Sequence, residues 1–405
     1  MKKSPNRKKK SRPSNLGNEC FTYMMLSGHL KKVPVFIARK KAMRCAFYIT
    51  VDDGYLGIGL AQAKRLRSLW GIDVHVFIEG QGEVARDELG QNGVFVHRNL
   101  MRDTIPSDLP STKSWPRIVY CRIFAPYLLA QYDRLIYIDA DVFPMVADPF
   151  ILSVDLPHGL AAVQDGSTIG CAPHTAGLSR DEWRAGIGLK SQRYFNAGIL
   201  VLDQKPWCSI DFAQPLTQFM QRYGASARMQ DQDFLNHHFQ GRWVELSPRF
   251  NYQKALFNYG LEQVFKPVFL HFSSFQKPWF KPDHPDSVQG QFFPVYQRMF
   301  QAAGISGEDY LTSKPENPIR KLRTALRYRL SEWGIKTDKE NRQRKEWARK
   351  SENIFEGIQQ DGQQGRYADL AFDLPERPIP KLSFDGRYMR RALIAEFDPI
   401  EPMAN

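Results

Sequence analysis

Two aspartates placed directly after an apolar run are the first residues whose types and spacing suggest chemistry. Asp139 and Asp141 follow Leu135-Ile-Tyr-Ile138, a run of strand-forming residues. Residues two apart in an extended chain project from the same side, so both carboxylates can face one cation or one substrate. Asp-x-Asp also occurs in ordinary turns, so further residues are needed to distinguish a ligand-binding site from a turn.

Other polar residues fall at the ends of predicted strands, or just beyond them. They are Asp52 and Asp53, Asp165, Asn196-Ala197-Gly198, and His271 with Lys277. In a parallel sheet such ends lie along one edge, where ligands bind, so we expect these groups to converge. Two carboxylates and an imidazole suit a divalent cation such as Mn²⁺ or Mg²⁺. Taken singly, His271 could be a core histidine, Asn196 part of a packing corner, and Lys277 a solvated loop charge.

Strand and helix patterns alternate along the chain, which predicts a parallel sheet covered by helices on both faces. Apolar runs predict strands at 45–51, 73–78, 94–96, 135–139, 160–163, 194–203 and 266–272. Helical patterns occupy about 58–69, 116–131, 211–223 and 231–239. Residues 166–192 are rich in glycine and irregular, which suits a mobile loop over a site.

The basic charge of the chain is confined to two segments. The net charge is +13, yet residues 1–12 hold seven basic side chains and no acidic ones, and residues 314–350 carry +8. The remainder is close to neutral, so a specific nucleic-acid partner is not expected. The five cysteines show no C-x-x-C pairing, which indicates reduced thiols rather than disulfides or zinc.

One basic segment has the pattern of an amphipathic helix. Its apolar residues are spaced 3, 4, 4 and 3 apart, and they are Ile319, Leu322, Leu326, Leu330 and Trp333. Basic residues occupy much of the remaining surface, so residues 319–333 could contact an anionic membrane. The alternative is a helix docked on the protein with its charged face in water. No apolar run is long enough for a membrane span, and we expect a cytoplasmic protein, held at most at the cytosolic face of a membrane.

These patterns divide the chain into four parts. Residues 1–43 are predicted to be a basic, disordered segment, and 44–303 a catalytic domain. Residues 304–352 are predicted to be a basic helical region, and 353–405 a tail without assigned chemistry.

The order of motifs between Arg44 and Phe280 resembles glycosyltransferase family 8. This family comprises retaining nucleotide-sugar transferases, among them bacterial lipopolysaccharide glucosyl- and galactosyltransferases and glycogenin. The matching motifs are Phe47-Tyr-Ile-Thr-Val-Asp-Asp53 with Tyr55, Tyr120-Cys-Arg122, Leu135-Ile-Tyr-Ile-Asp-Ala-Asp-Val142, Tyr194-Phe-Asn-Ala-Gly-Ile-Leu200, Gln230-Asp-Gln-Asp-Phe-Leu-Asn236, Arg249-Phe-Asn-Tyr252 and His271 with Lys277-Pro-Trp279. The resemblance implies a Rossmann-like α/β fold of the GT-A type.

The resemblance also implies roles for individual residues around a UDP-sugar donor and a glycan acceptor. The implied donor-binding residues are Thr50, Asp52, Tyr55, Arg122, Asp139, Asn196, Ala197, Gly198, Ser274 and Lys277. The implied ligands of Mn²⁺, or of Mg²⁺, are Asp139, Asp141 and His271. The implied catalytic residues, nearest the reacting sugar, are Asp165, Asp231 and Gln232. Gln232 is a poor nucleophile, which agrees with front-face transfer. The chain departs from the family pattern at Gly54, where Asn is usual, and at Ser274, where Gly is usual.

The acceptor implied by this reading is a lipid-linked or lipopolysaccharide-type saccharide, and the sugar would be glucose or galactose. Two alternatives remain open. Asp139-Ala-Asp-Val142 also fits the signature of haloacid-dehalogenase-like phosphatases, with Asp139 as nucleophile and Asp141 as acid and base. The other alternative is a non-catalytic protein that binds a nucleotide sugar or an anionic surface.

Overall fold

The computed structural model describes residues 21–26, 29–34, 43–111, 116–166, 180–257, 259, 261–273, 277–280, 288–306, 318–333, 335, 338–369, 383–384 and 389–390. The chain divides into two units, Met1–Ala42 and Met43–Asn405. The first unit contains an antiparallel hairpin of two strands, β1 (Phe21–Leu26) and β2 (His29–Pro34). Disorder is the prediction for residues 1–43, of which 21–26 and 29–34 form this hairpin and the others up to residue 42 lie outside the described residues.

The second unit is built mainly on strands that the apolar runs predicted. Its strands are β3 (Cys45–Asp52), β4 (Asp73–Glu79), β5 (Val94–Arg98), β6 (Arg134–Ile138), β7 (Val142–Pro144), β8 (Leu160–Gln164), β9 (Phe195–Asp203), β10 (Val244–Leu246), β11 (Tyr252–Gln253), β12 (Phe269–His271), β13 (Ser383–Phe384) and β14 (Met389–Arg390). 

Helices connect and cover these strands. They are α1 (Leu56–Trp70), α2 (Cys121–Phe124), α3 (Phe150–Ser153), α4 (Arg180–Gly186), α5 (Gln204–Cys208), α6 (Ala213–Tyr223), α7 (Asp231–Phe239), α8 (Lys254–Phe257), α9 (Glu262–Phe265), α10 (Val288–Ala302), α11 (Pro318–Glu332) and α12 (Asp338–Gln363). Among the described residues, no helix is long and apolar enough to cross a membrane.

Seven strands form the central sheet in the order β10-β8-β9-β6-β3-β4-β5. Every neighbouring pair is parallel except those made by β9, which runs antiparallel to both β6 and β8. The prediction of a mostly parallel α/β sheet is therefore confirmed, with one reversed strand. Because β9 is reversed, its first residues lie at the edge where the parallel strands end. Asn196, Ala197 and Gly198 reach the site for this reason.

A second, small sheet carries the histidine of the site. Its order is β11-β12-β7, with β12 parallel to β11 and antiparallel to β7. In this register His271 stands opposite Val142, one residue after Asp141. The strand predicted at 266–272 is thus shorter than expected, but it delivers His271 beside the two aspartates.

Alternating side chains along the central strands supply two separate cores. In β3, Ala46 and Tyr48 belong to one core, whereas Phe47 and Ile49 belong to the core on the opposite face, which α1 helps to cover. Both faces of the sheet are therefore buried, as the continuous apolar runs predicted.

A third core extends the folded body beyond the family-like region. Tyr296 on α10 packs there with Phe143 and Trp279, and Ile354, Phe355, Ile358 and Tyr367 are also buried in it. Four residues of the predicted tail thus pack into this core. The four-part division of the chain stays a prediction.

The helix predicted at 116–131 is broken into short turns. Residues Arg117–Tyr120 and Ala125–Leu128 are 3₁₀ segments on either side of α2. Pro126 lacks the N–H that an α-helix interior requires, which accounts for the end of α2 at Phe124. Arg122 nevertheless lies in α2, where its side chain is buried.

Candidate active site

The two aspartates lie on a tight turn between β6 and β7. The Val142 N–H donates to the Asp139 carbonyl over 3.0 Å. Gln62, which is buried on α1, donates through Nε2 to the carbonyl oxygens of Asp139 and Val142 at 2.8 and 2.6 Å. The helix thereby holds the backbone of the turn, so the directions in which Asp139 and Asp141 leave the chain are set by the packing of α1.

His271 completes a group of three possible metal ligands. Its Nε2 lies 3.2 Å from Asp141 Oδ1 and 3.9 Å from Asp139 Oδ2. One ligand atom from each of the three residues lies within 4.8 Å of the others. Two carboxylates and an imidazole are hard-to-borderline ligands, and this donor set fits Mn²⁺ or Mg²⁺ with further oxygens from a substrate.

Two of the possible metal ligands, Asp139 and His271, approach the backbone at Gly198 so closely that no side chain fits. A Cβ at Gly198 would lie 2.3 Å from His271 Cε1 and 2.9 Å from Asp139 Oδ2. The Gly198 carbonyl also accepts a hydrogen bond from the Asp139 N–H over 2.8 Å. The small residue of the Asn-Ala-Gly corner is therefore needed for space rather than for an unusual backbone angle.

Lys277 supplies positive charge at the same cluster. Its Nζ lies 2.5 Å from Asp141 Oδ2 and also donates to the Phe272 carbonyl over 3.0 Å. Burial tends to raise the pKa of Asp141, but the Lys277 ammonium holds that pKa well below its ordinary value. Asp141 is therefore a carboxylate that is ready to accept a cation at neutral pH.

Arg122 is a buried guanidinium that joins two carboxylates. Its Nη2 lies 3.1 Å from Asp139 Oδ1, and its Nε lies 3.1 Å from Asp231 Oδ2. Its Nη1 donates to the Ala197 carbonyl over 2.9 Å. Burial tends to lower the pKa of Arg122, but the two aspartates raise it above the ordinary value, so the group stays charged.

Asp231 is the most unusual carboxyl group of the site. It begins α7 and is almost fully buried. Burial raises its pKa to about 7, against the opposing effect of Arg122. Asp231 thus lies close to its protonation midpoint at neutral pH, and it can either donate or accept a hydrogen bond there.

A hydrogen-bonded group next to Gly198 contains two of the residues predicted to lie nearest the sugar, Asp165 and Gln232. Asn196 Nδ2 donates to Asp165 Oδ2 over 3.0 Å, and Gln232 Nε2 donates to the same oxygen over 3.3 Å. The Ala197 N–H donates to Gln232 Oε1 over 2.9 Å. Asp165, Asn196 and Gln232 are therefore one connected cluster, although Asp165 and Gln232 are far apart in sequence.

Strand β3 and the turn after it carry the residues predicted to bind the nucleoside, Thr50, Asp52 and Tyr55. Tyr137 Oη donates to Asp139 Oδ1 over 2.5 Å and lies 3.2 Å from Thr50 Oγ1. Asp52 Oδ1 accepts from the Tyr55 N–H over 3.0 Å, which fixes the turn after β3. The Tyr55 ring meets Trp279 edge to face, with centroids 5.8 Å apart.

Almost all of the residues singled out in the sequence belong to this connected edge of the sheet. Hydrogen bonds, ion pairs or ring contacts link them in one network, except that Asp52 is linked only through the Tyr55 backbone. Ser274 lies outside the described residues. Asp53 instead pairs with Arg98 at 2.6 Å.

Sequence reasoning missed several residues that support the site. Gln62 holds the backbone of the aspartate turn, and Tyr137 donates to the Asp139 carboxylate. Asn251, in the motif Arg249-Phe-Asn-Tyr252, contacts both His271 and Asn196. The motif was a signal for Asn251, whereas nothing in the sequence distinguishes Gln62 from other polar helix residues.

Comparison with known proteins places the chain in a family. Residues 72–282, about half of the chain, match Glycosyl transferase family 8, and the chain belongs to this family. The GT-A-like fold is matched by a solved galactosyltransferase, LgtC, in complex with donor and acceptor sugar analogues. That likeness has a TM-score of 0.50 and 21% identity, and covers 68% of this chain and 99% of the other.

Two curated relatives are similar over part of their length. Glycosyltransferase GlyF of Streptococcus pneumoniae is 26% identical over 249 residues, which cover 58% of this chain and 58% of the relative. Lipopolysaccharide 1,2-glucosyltransferase of Escherichia coli is 28% identical over 183 residues, covering 43% of this chain and 52% of the relative. The chain thus spans between half and three fifths of these relatives. The family assignment replaces the phosphatase alternative.

Proposed function

We propose that the chain is a retaining glycosyltransferase that moves a hexose from a UDP-sugar to a glycan acceptor with the aid of a divalent metal. The observation that carries this proposal is the convergence of Asp139, Asp141 and His271 beside Lys277. Hexose transfer is supported by relatives named as glucosyl- and galactosyltransferases. A lipid-linked or lipopolysaccharide-type acceptor is supported by the same names.

The donor would lie along the edge of the central sheet. Thr50, Asp52 and Tyr55 would hold the uridine, because they flank the turn after β3 at one end of the connected site. Arg122 and Asp139 would contact the ribose and the diphosphate. Asn196 and Gly198 with Asp165 and Asp231 would bind the sugar. Asn196 is hydrogen-bonded to Asp165 and Gly198, and Asp231 pairs with Arg122, which donates to the neighbouring Ala197 carbonyl.

Cleavage of the sugar–phosphate bond would be assisted mainly through charge. Negative charge develops on the leaving UDP, and the Lys277 ammonium is placed to stabilise it. A bound Mn²⁺ or Mg²⁺, held by Asp139, Asp141 and His271, would supply Lewis-acid stabilisation of the same charge.

Retention of anomeric configuration would follow from the residues near the sugar. Gln232 is an amide, and its Oε1 and Nε2 already bond to Ala197 N–H and to Asp165. It is a poor nucleophile, so attack by the acceptor on the face that UDP leaves is the mechanism that we propose.

The first test is hydrolysis of UDP-glucose, UDP-galactose and UDP-N-acetylglucosamine by the full chain, with Mn²⁺ and with a chelator. We expect UDP release from one hexose donor only when metal is present. Asp141→Asn should abolish this release because it removes a charged ligand. Asp155→Asn, at an exposed position, should keep it. Undiminished release from the Asp141 variant, or absence of UDP binding by the unmodified protein, would contradict the proposal.

We also propose that the acceptor is presented at an anionic membrane surface that α11 contacts. Ile319, Leu322, Leu326 and Trp333 are between 57% and 72% exposed, although they are the apolar residues of the helical pattern. Arg323 and Arg329 are exposed on the same helix. An exposed apolar stripe beside basic side chains suits the interface of an anionic bilayer.

This membrane contact can be tested by sedimentation with vesicles. The full chain should bind vesicles that contain phosphatidylglycerol, bind neutral phosphatidylcholine vesicles less, and lose the difference at high salt. The double change Leu322→Ser and Trp333→Ser should weaken the binding while UDP-sugar hydrolysis persists. Equal binding by both proteins, or salt-sensitive binding to RNA in place of vesicles, would reject the membrane proposal.

A further inference from the structure

Asn251 lies at the centre of the polar network, and no role has been assigned to it so far. It ends the 3₁₀ segment Pro248–Asn251, directly before β11, and is completely buried. Its Nδ2 donates to Asn196 Oδ1 over 2.9 Å, and its Oδ1 lies 3.0 Å from His271 Nδ1. It therefore connects a predicted sugar-binding residue with a predicted metal ligand.

The orientation of both amides is determined by one backbone group. The Gly198 N–H donates to Asn196 Oδ1 over 3.0 Å. A backbone N–H can only donate, so the Asn196 atom that it meets must be the oxygen. Asn196 then presents its Nδ2 to Asp165, at 3.0 Å, which a carboxylate oxygen can accept.

The same logic extends through Asn251 to the histidine. Because Asn196 presents an oxygen, the atom of Asn251 that faces it must be the donor, Nδ2. The remaining atom of Asn251 is an acceptor, and it faces His271 Nδ1. His271 must therefore carry a proton on Nδ1, which leaves the lone pair on Nε2 in the neutral ring.

That lone pair lies on the side of the ring that faces Asp139 and Asp141, where the metal is proposed to bind. Nε2 is the nitrogen that lies near Asp141 Oδ1 and Asp139 Oδ2. We propose that Asn251 is a positioning residue which selects the metal-binding tautomer of His271 and, through the same amide, fixes the orientation of Asn196. This inference rests on the proposed function, because it concerns the metal and sugar sides of that same site.

Without Asn251 the histidine has reason to adopt the other tautomer. The Nδ1 proton would lose its buried acceptor, whereas a proton on Nε2 would gain Asp141 Oδ1 at 3.2 Å. A proton on Nε2 would occupy the lone pair that binds metal. Loss of such a supporting hydrogen bond typically costs about 10- to 100-fold in metal affinity.

The direct test is ¹⁵N NMR of the histidine ring in metal-free full-length protein, in mildly alkaline buffer. The His271 signal is identified by its absence from the His271→Ala variant, since the chain has nine histidines. We expect the Nδ1–H tautomer in the unmodified protein and the Nε2–H tautomer in Asn251→Ala. Titration with Mn²⁺ alone, followed by electron paramagnetic resonance, should show affinity reduced about 10- to 100-fold.

Asn251→Asp separates the two parts of the proposal. A carboxylate still accepts from His271 Nδ1–H, so we expect the Nδ1–H tautomer and Mn²⁺ affinity within a few-fold of the unmodified protein. It no longer donates to Asn196 Oδ1, so the KM for the UDP-sugar should rise about tenfold, the effect of one lost hydrogen bond. This variant keeps the test decisive if Asn251→Ala does not fold.

Asn236→Ala is the matched control. Asn236 is another buried amide, but its hydrogen bonds run to backbone atoms of Phe195 and Gln232. We expect this variant to lower the Tm while the His271 tautomer and Mn²⁺ affinity stay unchanged. An Nε2–H tautomer in the unmodified protein, or unchanged tautomer and Mn²⁺ affinity in Asn251→Ala, would overturn the inference. Neither result would affect UDP-sugar hydrolysis by the unmodified protein, which tests the proposed function separately.

Discussion

The central sheet carries two polar clusters whose chains of hydrogen bonds end differently. One is the group of Asp139, Asp141 and His271 that we propose to hold a metal, and we call it the metal-ligand cluster. The other is a histidine relay formed by Asp73 and His75 on β4, His97 on β5, and Tyr132, which precedes β6. Both contain imidazoles close to carboxylates, so composition alone does not tell them apart. The direction of the hydrogen bonds does.

In the histidine relay every donor meets an acceptor. The Asp87 N–H donates to His97 Nδ1 over 3.2 Å, so His97 Nε2 carries a proton and donates to His75 Nδ1 over 2.9 Å. His75 Nε2 then donates to Tyr132 Oη over 2.9 Å. Tyr132 Oη donates in turn to Asp73 Oδ2 over 2.8 Å. The relay is satisfied within the protein and needs no ligand.

In the metal-ligand cluster the chain of hydrogen bonds ends at the His271 Nε2 lone pair, which faces the two carboxylates. It starts from the Gly198 N–H, passes through Asn196 and Asn251, and leaves His271 Nε2 unprotonated beside Asp141. Acceptors that face one another repel unless a cation lies between them. The comparison teaches that hydrogen-bond direction distinguishes a structural histidine cluster from the group proposed to bind a metal.

The largest effect is expected when the space at the metal-ligand cluster is filled. Gly198→Ala would place a methyl group 2.3 Å from His271 Cε1, and Asn251 prevents the ring from moving freely. We expect loss of detectable Mn²⁺ binding and of UDP release, together with about 1–3 kcal/mol of destabilisation from overpacking. Urea unfolding and electron paramagnetic resonance measure the two effects.

Gly357→Ala is the control for this change. Gly357 lies on α12 with nothing within 4 Å of a built Cβ. There we expect unchanged activity and a small gain in stability, about 0.5–1 kcal/mol, because alanine favours helices. Normal Mn²⁺ binding by Gly198→Ala would show that the cluster adapts, and the close approach would then carry no functional meaning.

Some parts of the site could be predicted from the sequence and others could not. Asp139, Asp141 and His271 could be found from sequence because each follows or ends an apolar strand and belongs to a recognisable motif. The reversed β9 was not predicted, because strand direction depends on the path of residues 165–194 and not on local pattern. The Asn-Ala-Gly corner was still predicted at the correct edge of the sheet, because it lies at the start of β9 and not at its end.

The supporting residues could not be predicted for a different reason. Gln62 acts through backbone carbonyls almost eighty positions away. The role of Asn251 depends on three successive hydrogen bonds, two of which join separate elements. Such geometry exists only after the sheet has formed. The packing of Ile354, Phe355 and Ile358 was missed because the surrounding sequence is highly polar and resembles a solvated tail.

A smaller effect is expected from removing the positive charge beside Asp141. Lys277→Met keeps the length of the side chain but deletes the ammonium 2.5 Å from Asp141 Oδ2. The kcat for UDP release should fall about 10²- to 10³-fold, the usual cost of losing one group that stabilises developing charge. Lys350→Met is the control, because Lys350 pairs with Glu346 at 2.8 Å on the exposed surface. Equal kcat values for both variants would mean that Lys277 only balances the charge of Asp141.

The smallest effect concerns the histidine relay and should be visible in stability alone. Burial lowers the pKa of His75 to about 3 and that of His97 to about 4. Between about pH 6.5 and pH 4 the unfolded histidines bind protons that the folded ones do not. The free energy of unfolding should therefore decrease as the pH falls through this range, by at most about 1.4 kcal/mol per pH unit for each histidine. His75→Phe should reduce this slope without changing Mn²⁺ affinity, as urea unfolding at several pH values would show. His158→Phe, at an exposed position, should leave the slope as it is. Equal slopes for unmodified protein and His75→Phe would mean that the relay accepts protons in the folded state, and the contrast with the metal-ligand cluster would fail.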